Sequence, residues 1–207
     1  MIENKYRNSY CGTISELDCD KKVVLSGWVE NIRDHGGVVF VDLRDEKGVV
    51  QLVSNDEAMF SSLTRESTIK VTGIVRKRNE EDFNSKISSG TVEVLVDSLE
   101  VLGSSLNVLP FEIITSHEVS EDVRLKYRYL DMRNRKVHDM IKFRSELLKF
   151  LRNKMDSLDF TEVQTPIITA SSPEGARDFL VPSRKFHGKF YALPQAPQVF
   201  KELLMVG

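Results

Sequence analysis

Short runs of β-branched and aromatic residues recur through the first half of the chain, separated by glycine-containing turns. Such runs are typical of strands, and there are five of them, at residues 23–29, 38–43, 49–53, 69–75 and 91–96. Between the third and fourth runs, residues 56–65 have the apolar spacing of a short amphipathic helix, with Asn55 or Asp56 as its cap. This order, with glycine inside the first and fourth strands, is that of an OB-fold barrel. Small barrels of other kinds share the pattern.

The second half of the chain has a different period. Residues 104–135 lose the strand pattern, and their composition is not that of a flexible Gly/Ser linker, so they are predicted to be a packed connection. From Asn134 to Leu158 the apolar residues recur at helical spacing. Residues 160–166 are then predicted to form a strand that Pro166 ends, because proline cannot donate a ladder hydrogen bond.

The last part of the chain contains two further predicted elements. Residues 179–181 and 190–193 are predicted to pair as a hairpin that turns at His187 and Gly188. A final helix is predicted to begin near Pro197. Together these elements predict an α+β, multidomain fold.

Charge and cysteine content exclude several classes of protein. Residues 1–107 carry 13 basic and 18 acidic side chains, and residues 108–207 carry 16 and 13. A non-specific RNA binder driven by bulk charge has a different balance. No apolar run approaches the roughly 20 residues that span a bilayer, so a cytoplasmic location is expected. Cys11 and Cys19 are expected to be reduced thiols, and no metal site is predicted.

The second half carries motifs of a known family. The helix leading into residues 162–166 resembles motif 1 of the class II aminoacyl-tRNA synthetases. Residues 128–131, Arg-Tyr-Leu-Asp, resemble the signature run that precedes this motif in the aspartyl, asparaginyl and lysyl enzymes. Residues 172–184 and 191–201 resemble the aspartyl enzyme in its bacterial form. The resemblance implies three parts: a five-stranded OB-fold anticodon-binding domain at 1–107, a hinge at 108–135, and the start of a class II antiparallel-sheet catalytic domain at 136–207.

The resemblance also implies a function. A member of this family is an aspartate–tRNA ligase that uses ATP and Mg²⁺, works as a homodimer, and places Pro166 at the dimer interface. Motifs 2 and 3 would lie beyond Gly207, so no catalytic residue is expected within these residues, which by themselves are expected to be inactive. The alternative is a non-catalytic OB-fold RNA-binding module with a dimerising tail.

Three residues are implied to bind aspartate. Glu174 resembles the residue that faces the α-ammonium group, Gln198 one that hydrogen-bonds the same end, and Lys201 the cation that meets the side-chain carboxylate. Gln198 and Lys201 are three positions apart at the start of a predicted helix, so they share a face near the positive end of its dipole. A solvated glutamate and an ordinary helix face are the alternative. Ala196 departs from the serine that many relatives carry.

The barrel carries the residues implied to bind the anticodon. Phe40 resembles the aromatic residue on which the central base stacks, with a place in the barrel core as the alternative. The other implied anticodon contacts are Arg33, Gln51, Asn84 and Glu93. Trp28 is expected in the core, with a stacking platform as the alternative.

Two residues are implied to set tRNA selectivity, namely His35 and Glu81. The His-Gly-Gly sequence at residues 35–37 resembles relatives that charge both aspartate and asparagine tRNAs, where discriminating enzymes tend to carry leucine at the first position. A turn-stabilising histidine is the alternative.

Overall fold

The computed structural model describes residues 4–106, 108–171, 177–193 and 196–207. The chain forms two compact units, Met1–Glu112 and Ile113–Gly207. The first contains strands β1 (Lys22–His35), β2 (Val38–Arg44), β3 (Val49–Ser54), β4 (Thr68–Lys77) and β5 (Val92–Gly103), with helix α1 (Glu57–Phe60) between β3 and β4. The predicted order of three strands, a helix and two strands is therefore confirmed.

The five strands close into a barrel in the order β1-β2-β3-β5-β4. The β3–β5 pair is parallel, and the other pairs are antiparallel. Closure brings backbones close together at two glycines inside strands. A Cβ atom at Gly27 would lie 2.3 Å from the carbonyl oxygen of Arg44, and one at Gly73 would lie 2.3 Å from that of Leu95. Glycine is therefore required where the barrel coils.

Apolar side chains at alternate strand positions fill the barrel, because successive residues of a strand face opposite sides. Leu25, Val41, Leu52 and Val71 are among the fully buried residues. Phe60, from α1, is also buried in this core.

Helix α1 is shorter than predicted, since only Glu57–Phe60 is helical and residues 61–65 turn. Asp56 caps it, accepting a hydrogen bond from the Ala58 amide at 3.0 Å.

The second unit begins in the region predicted to connect two domains. It contains a 3₁₀ turn (Ser116–Glu118), α2 (Glu121–Lys126), α3 (Arg128–Asp131) and the long helix α4 (Arg135–Asp156). Asn134 is the N-cap of α4: its Oδ1 accepts from the Lys136 amide at 3.0 Å, and its Nδ2 donates to the carbonyls of Ile113 and Ile114. The predicted long helix is confirmed. None of its residues is buried.

The remainder of the second unit is a hairpin and a helix. Strands β6 (Phe179–Pro182) and β7 (Phe190–Leu193) pair antiparallel, and Gly188 has a φ of 75° in the turn between them. Helix α5 (Gln198–Val206) follows. The predicted hairpin and final helix are both confirmed.

The predicted strand at residues 160–166 is wrong, because this segment is assigned no strand. A strand is held by hydrogen bonds to a neighbour, and no strand of the described chain pairs with these residues. Their alternating composition is therefore not sufficient to make them a strand here. None of the described helices is both long enough and apolar enough to cross a membrane.

Candidate nucleic-acid interface

The outer wall of the barrel presents polar and aromatic side chains in rows across β1, β2 and β3. Arg33 lies opposite Phe40, and Asn31 lies opposite Asp42, which in turn lies opposite Gln51. The residues between them in β2 face the core and are buried. A bulge in β1, where the register skips one residue, keeps Asn31 and Arg33 on the outer side. We call this surface the outer face of β1–β3.

A chain of hydrogen bonds fixes three polar side chains of this face. The Arg33 guanidinium makes two bonds to the Asp42 carboxylate, Nη1 to Oδ2 at 2.9 Å and Nη2 to Oδ1 at 2.8 Å. Nη2 also donates to the Gln51 Oε1 at 3.3 Å, and the Gln51 Nε2 donates to the Glu93 Oε2 at 3.0 Å. Both ends of the Gln51 amide are therefore engaged, and its orientation is set by its neighbours.

Two arginines hold Glu93 from the other side. The Arg76 Nε donates to the Glu93 Oε1 at 2.7 Å, and the Arg78 Nε lies 4.0 Å from the Oε2. The Arg78 side chain is only 5% exposed, and this burial lowers the pKa of its guanidinium, while the charge of Glu93 opposes the shift. Within the described chain, Arg78 Nη2 is buried without a hydrogen-bond partner.

Sequence reasoning missed Asp42, Arg76 and Arg78, which orient the predicted residues. The alternation of Phe40 and Asp42 along one strand was an available signal for the first. Arg76 and Arg78 are two positions apart in the sequence, and this spacing was an available signal that the two arginines act together. The second signal does not identify the partner of the arginines, because Glu93 lies 15 or more residues away in sequence and is brought close only by the β4–β5 pairing.

Phe40 lies on the outer face and is partly exposed, so the alternative of a core position is not what the structure shows. Its ring meets that of His35 edge-on, with centroids 6.0 Å apart and planes at 66°. His35 is exposed at the end of β1. Gly36 and Gly37 follow with φ values of 62° and 94°, the left-handed conformation that a two-residue type I′ hairpin turn requires.

The expectation that Trp28 lies in the core is wrong. Trp28 is half-buried on the outer side of β1, opposite Arg44, whose guanidinium carbon is 5.9 Å from the indole centroid. The physical reason is the two-residue period of a strand, because the inward positions are taken by Leu25 and Val29, which are fully buried.

Asn84 and Glu81 lie in the loop between β4 and β5. Asn84 is exposed, and its Oδ1 accepts from the Lys86 amide at 3.0 Å, while its backbone bonds Gly90 and Ile87 across the loop. Glu81 is exposed in the 3₁₀ turn Glu80–Asp82. No contact in the described chain joins either side chain to the hydrogen-bonded chain from Asp42 to Arg78.

The predicted aspartate-binding residues fall in the second unit. Glu174 lies outside the described residues. Gln198 and Lys201 are both exposed in the first turn of α5, and the Gln198 Nε2 donates to the Glu202 Oε1 at 2.9 Å. Pro166, predicted at a dimer interface, is exposed. Within the described ranges, no group of three or more histidine, cysteine, aspartate or glutamate side chains could hold a metal ion.

Comparisons with known proteins match both units. A family described as the OB-fold nucleic acid binding domain matches residues 23–102, and one described as the class II tRNA synthetases (D, K and N) matches residues 120–207. An aspartate–tRNA(Asp/Asn) ligase from Prosthecochloris aestuarii is 50% identical over 99% of this chain, and one from Ehrlichia ruminantium is 49% identical over 98%. The chain spans about a third of the length of each, 34% and 35%.

Solved structures give the same picture of the fold. The asparaginyl-tRNA synthetase from Pyrococcus horikoshii, complexed with asparaginyl-adenylate, superposes with a TM-score of 0.81 at 28% identity, over 100% of this chain and 46% of that one. An aspartyl-tRNA synthetase from Leishmania major has the same fold, with a TM-score of 0.81 at 23% identity over 98% of this chain and 42% of its own. Residues 23–102 therefore match the OB-fold nucleic acid binding domain, and residues 120–207 match the class II tRNA synthetases of the D, K and N group.

Proposed function

We propose that the outer face of β1–β3 binds the anticodon of a tRNA, and that the whole protein is an aspartate–tRNA ligase for both aspartate and asparagine tRNAs. The relatives at about 50% identity carry that description. One structural observation supports the binding site most strongly: a partly exposed aromatic ring lies beside an oriented arginine and an oriented amide on one face. Single-stranded bases are recognised by this combination of stacking and edge hydrogen bonds.

Each side chain has a distinct part in this proposal. Phe40 provides the stacking surface for the central base, and Gln51 reads the edge of that base. Arg33 donates to a base or to its phosphate, and Glu93 accepts from a base amino group. Asn84, on the neighbouring loop, would reach an adjacent base. Because ion pairs and hydrogen bonds already hold Arg33, Gln51 and Glu93 in place, less side-chain freedom is lost when RNA binds.

His35 is proposed to set the tolerance for the third anticodon base, which is the only difference between the GUC and GUU anticodons. It is exposed and contacts Phe40 edge-on, so a group bound beside Phe40 would meet its ring. An imidazole offers both a donor and an acceptor, and so can accommodate either base edge. Glu81 is the second proposed selectivity residue. It lies in the 3₁₀ turn Glu80–Asp82, in the loop between β4 and β5.

The amino-acid site is proposed in the second unit. Glu174 would face the ammonium group of aspartate, Gln198 would hydrogen-bond the same end, and Lys201 would face the side-chain carboxylate. In class II chemistry the amino-acid carboxylate attacks the α-phosphate of ATP, the bond from the α-phosphorus to the bridging oxygen breaks, and pyrophosphate leaves. The 3′-hydroxyl of the tRNA then attacks the carbonyl carbon of the aminoacyl-adenylate and takes the acyl group, and AMP leaves. Positioning and charge neutralisation dominate such steps. The described residues do not fit a Mg²⁺ site, because they contain no group of three or more histidine, cysteine, aspartate or glutamate side chains that could hold the ion.

The assembly proposed for the whole protein is a homodimer. Helix α4 carries Met140, Phe143, Phe150 and other apolar residues at exposures from 44% to 70%, a surface that soluble proteins ordinarily cover. We propose that Pro166 and this helix lie against or near the second copy, in an isologous contact.

RNA binding tests the proposal on the chain itself. An anticodon stem-loop RNA with the GUC triplet is titrated in a fluorescence anisotropy assay, beside one with an unrelated triplet. We expect Phe40→Ala to weaken GUC binding by about 1–3 kcal/mol, the scale of one stacked base. Phe143→Ala, which changes an exposed phenylalanine of α4, is the control and leaves binding unchanged. Equal affinity of wild type for the two RNAs would overturn the proposal.

An adenylation assay tests the enzymatic part. The full-length protein is expected to exchange pyrophosphate into ATP only when aspartate is present. A full-length protein that binds the GUC stem-loop but shows no aspartate-dependent exchange would instead be a non-catalytic RNA-binding module.

A further inference from the structure

A cavity of about 750 Å³ opens on the outer wall of the barrel, away from the residues assigned above to the anticodon. The N-terminal arm forms one side of it with Tyr6, Arg7 and Tyr10, and β1 forms another with Trp28. Its size is in the range of small-molecule sites, about 300–1,000 Å³. We call it the arm cavity.

The arm cavity continues the outer face of β1–β3. Along β1 and β2, the row of Trp28 and Arg44 is followed by the row of Asn31 and Asp42, and then by the row that contains Phe40. All of these residues are on the outer side of the barrel, because the bulge after Val29 preserves the alternation. At about 3.4 Å per residue, Arg44 lies roughly 14 Å along β2 from Phe40. A nucleic acid strand that crosses Phe40 along these strands therefore reaches the cavity.

The side chains of the cavity suit a nucleotide. Three aromatic rings line it, and each has a cation nearby: the Lys5 Nζ lies 4.8 Å from the Tyr6 centroid, and the Arg7 guanidinium carbon lies 5.0 Å from that of Tyr10. Arg44 is similarly placed beside Trp28. Aromatic surfaces with neighbouring cations are what unpaired bases and their phosphates bind.

The two acidic residues at the cavity, Asp45 and Glu46, both have partners, and the Glu46 carboxylate lies 3.7 Å from the Lys47 Nζ. Asp45 is 8% exposed, and its carboxylate accepts backbone hydrogen bonds from Cys11 at 2.7 Å, Lys47 at 2.8 Å and Gly48 at 3.2 Å. Its charge is thus used to hold the arm against the turn between β2 and β3. The Lys47 Nζ also lies 5.8 Å from the Tyr10 ring.

We propose that the arm cavity binds an unpaired nucleotide flanking the anticodon, with Tyr10 as a stacking surface and Arg7 beside its phosphate. This inference rests on the proposed function, because the strand must first be placed by Phe40. It extends the RNA-binding surface by a site that reads a base outside the anticodon triplet. Tyr10 is a suitable residue to test, since it is on the arm and outside the barrel core.

The experiment is a thermodynamic cycle between protein and RNA variants. Wild type, Tyr10→Ala and Tyr10→Phe are titrated with GUC stem-loops, one intact and the others each abasic at a single unpaired position flanking the triplet. We expect Tyr10→Ala to bind intact RNA about tenfold more weakly, the effect of losing one stacked base. Tyr10→Phe retains the ring and therefore the affinity. One of the abasic RNAs lacks the base that the cavity binds. We expect wild type and Tyr10→Ala to have equal affinity for that RNA.

Three results separate failure of this inference from failure of the proposed function. If Tyr10→Ala binds like wild type while Phe40→Ala is weakened, the cavity does not bind RNA and the anticodon site stands. If the Tyr10→Ala loss persists against every abasic RNA, the residue acts through the structure of the arm and the inference is wrong. If wild type itself does not select the GUC stem-loop, both proposals are wrong. Trp28 fluorescence and circular dichroism verify that each variant is folded.

Discussion

Replacing Glu93 with glutamine removes one charge from the most buried part of the polar network. Glu93 is 8% exposed as a residue, accepts from Arg76 at 2.7 Å, and is the nearest carboxylate to the almost fully buried Arg78. Removing one partner of a buried ion pair costs about 3–5 kcal/mol, because the other charge is left buried and unpaired. Two factors reduce this cost. The Arg76 side chain is 49% exposed, so solvent screens its ion pair with Glu93, and glutamine keeps one oxygen that can accept a hydrogen bond. We expect Glu93→Gln to lower the free energy of unfolding by about 2 kcal/mol.

A matched control lies on the same strand. Glu100 is 61% exposed in its side chain and pairs with Lys70 at 3.2 Å, so Glu100→Gln removes a solvated pair worth about 0.2–1 kcal/mol. Urea unfolding followed by tryptophan fluorescence measures both, since the only tryptophan, Trp28, is in the barrel. The free energy comes from linear extrapolation. Equal midpoints for Glu93→Gln and Glu100→Gln would refute the idea that burial gives this network its strength.

Four further predictions concern His35, Glu30, Gly73 and the assembly of the full-length protein. In the full-length enzyme, His35→Leu is expected to shift the kcat/KM ratio toward aspartate tRNA by about ten- to a hundredfold, and a wild-type ratio already above about a hundred would leave His35 as a turn residue. Burial raises the pKa of Glu30 above its ordinary 4.5, against the opposing charge of Arg44. The folded carboxyl therefore keeps its proton to higher pH than the unfolded one, so the stability contributed by Glu30 is lost as the pH rises from 4.5 through its raised pKa. Glu30→Gln removes that part of the pH dependence in urea midpoints measured across pH. Gly73→Ala places a methyl group 2.3 Å from the Leu95 carbonyl oxygen and is expected to cost about 1–3 kcal/mol in the same urea assay, which an unchanged midpoint would contradict. Sedimentation of the full-length protein at micromolar concentration is expected to show a homodimer, and a monomer would count against the proposed contact at Pro166.

The local pattern of the sequence determined the elements of the barrel. Strand positions followed from the runs of β-branched and aromatic residues, the α1 cap from Asp56, and the turn between β1 and β2 from the paired glycines 36 and 37. These are short-range effects, in which a residue's own conformational preferences decide the outcome. The helix ending at Asp156 and the hairpin of β6 and β7 were predictable for the same reason.

The pairing of strands distant in sequence decided the position of Trp28 and the conformation of residues 160–166. Trp28 lies outside the core because the strand alternation assigns the inward positions to its neighbours, although its apolar ring alone favoured burial. Residues 160–166 have strand composition, yet no described strand pairs with them.

The polar network was also decided by the tertiary structure. Arg33, Gln51 and Glu93 were predicted separately, but the pairing of β1 with β2, of β2 with β3 and of β3 with β5 is what joins them. Arg33 donates to Gln51, and Gln51 donates to Glu93. A sequence specifies which side chains are available for binding. Only the closure of the barrel brings groups 40 or more residues apart within hydrogen-bonding distance, as for Gln51 and Glu93, because that contact depends on the pairing of whole strands.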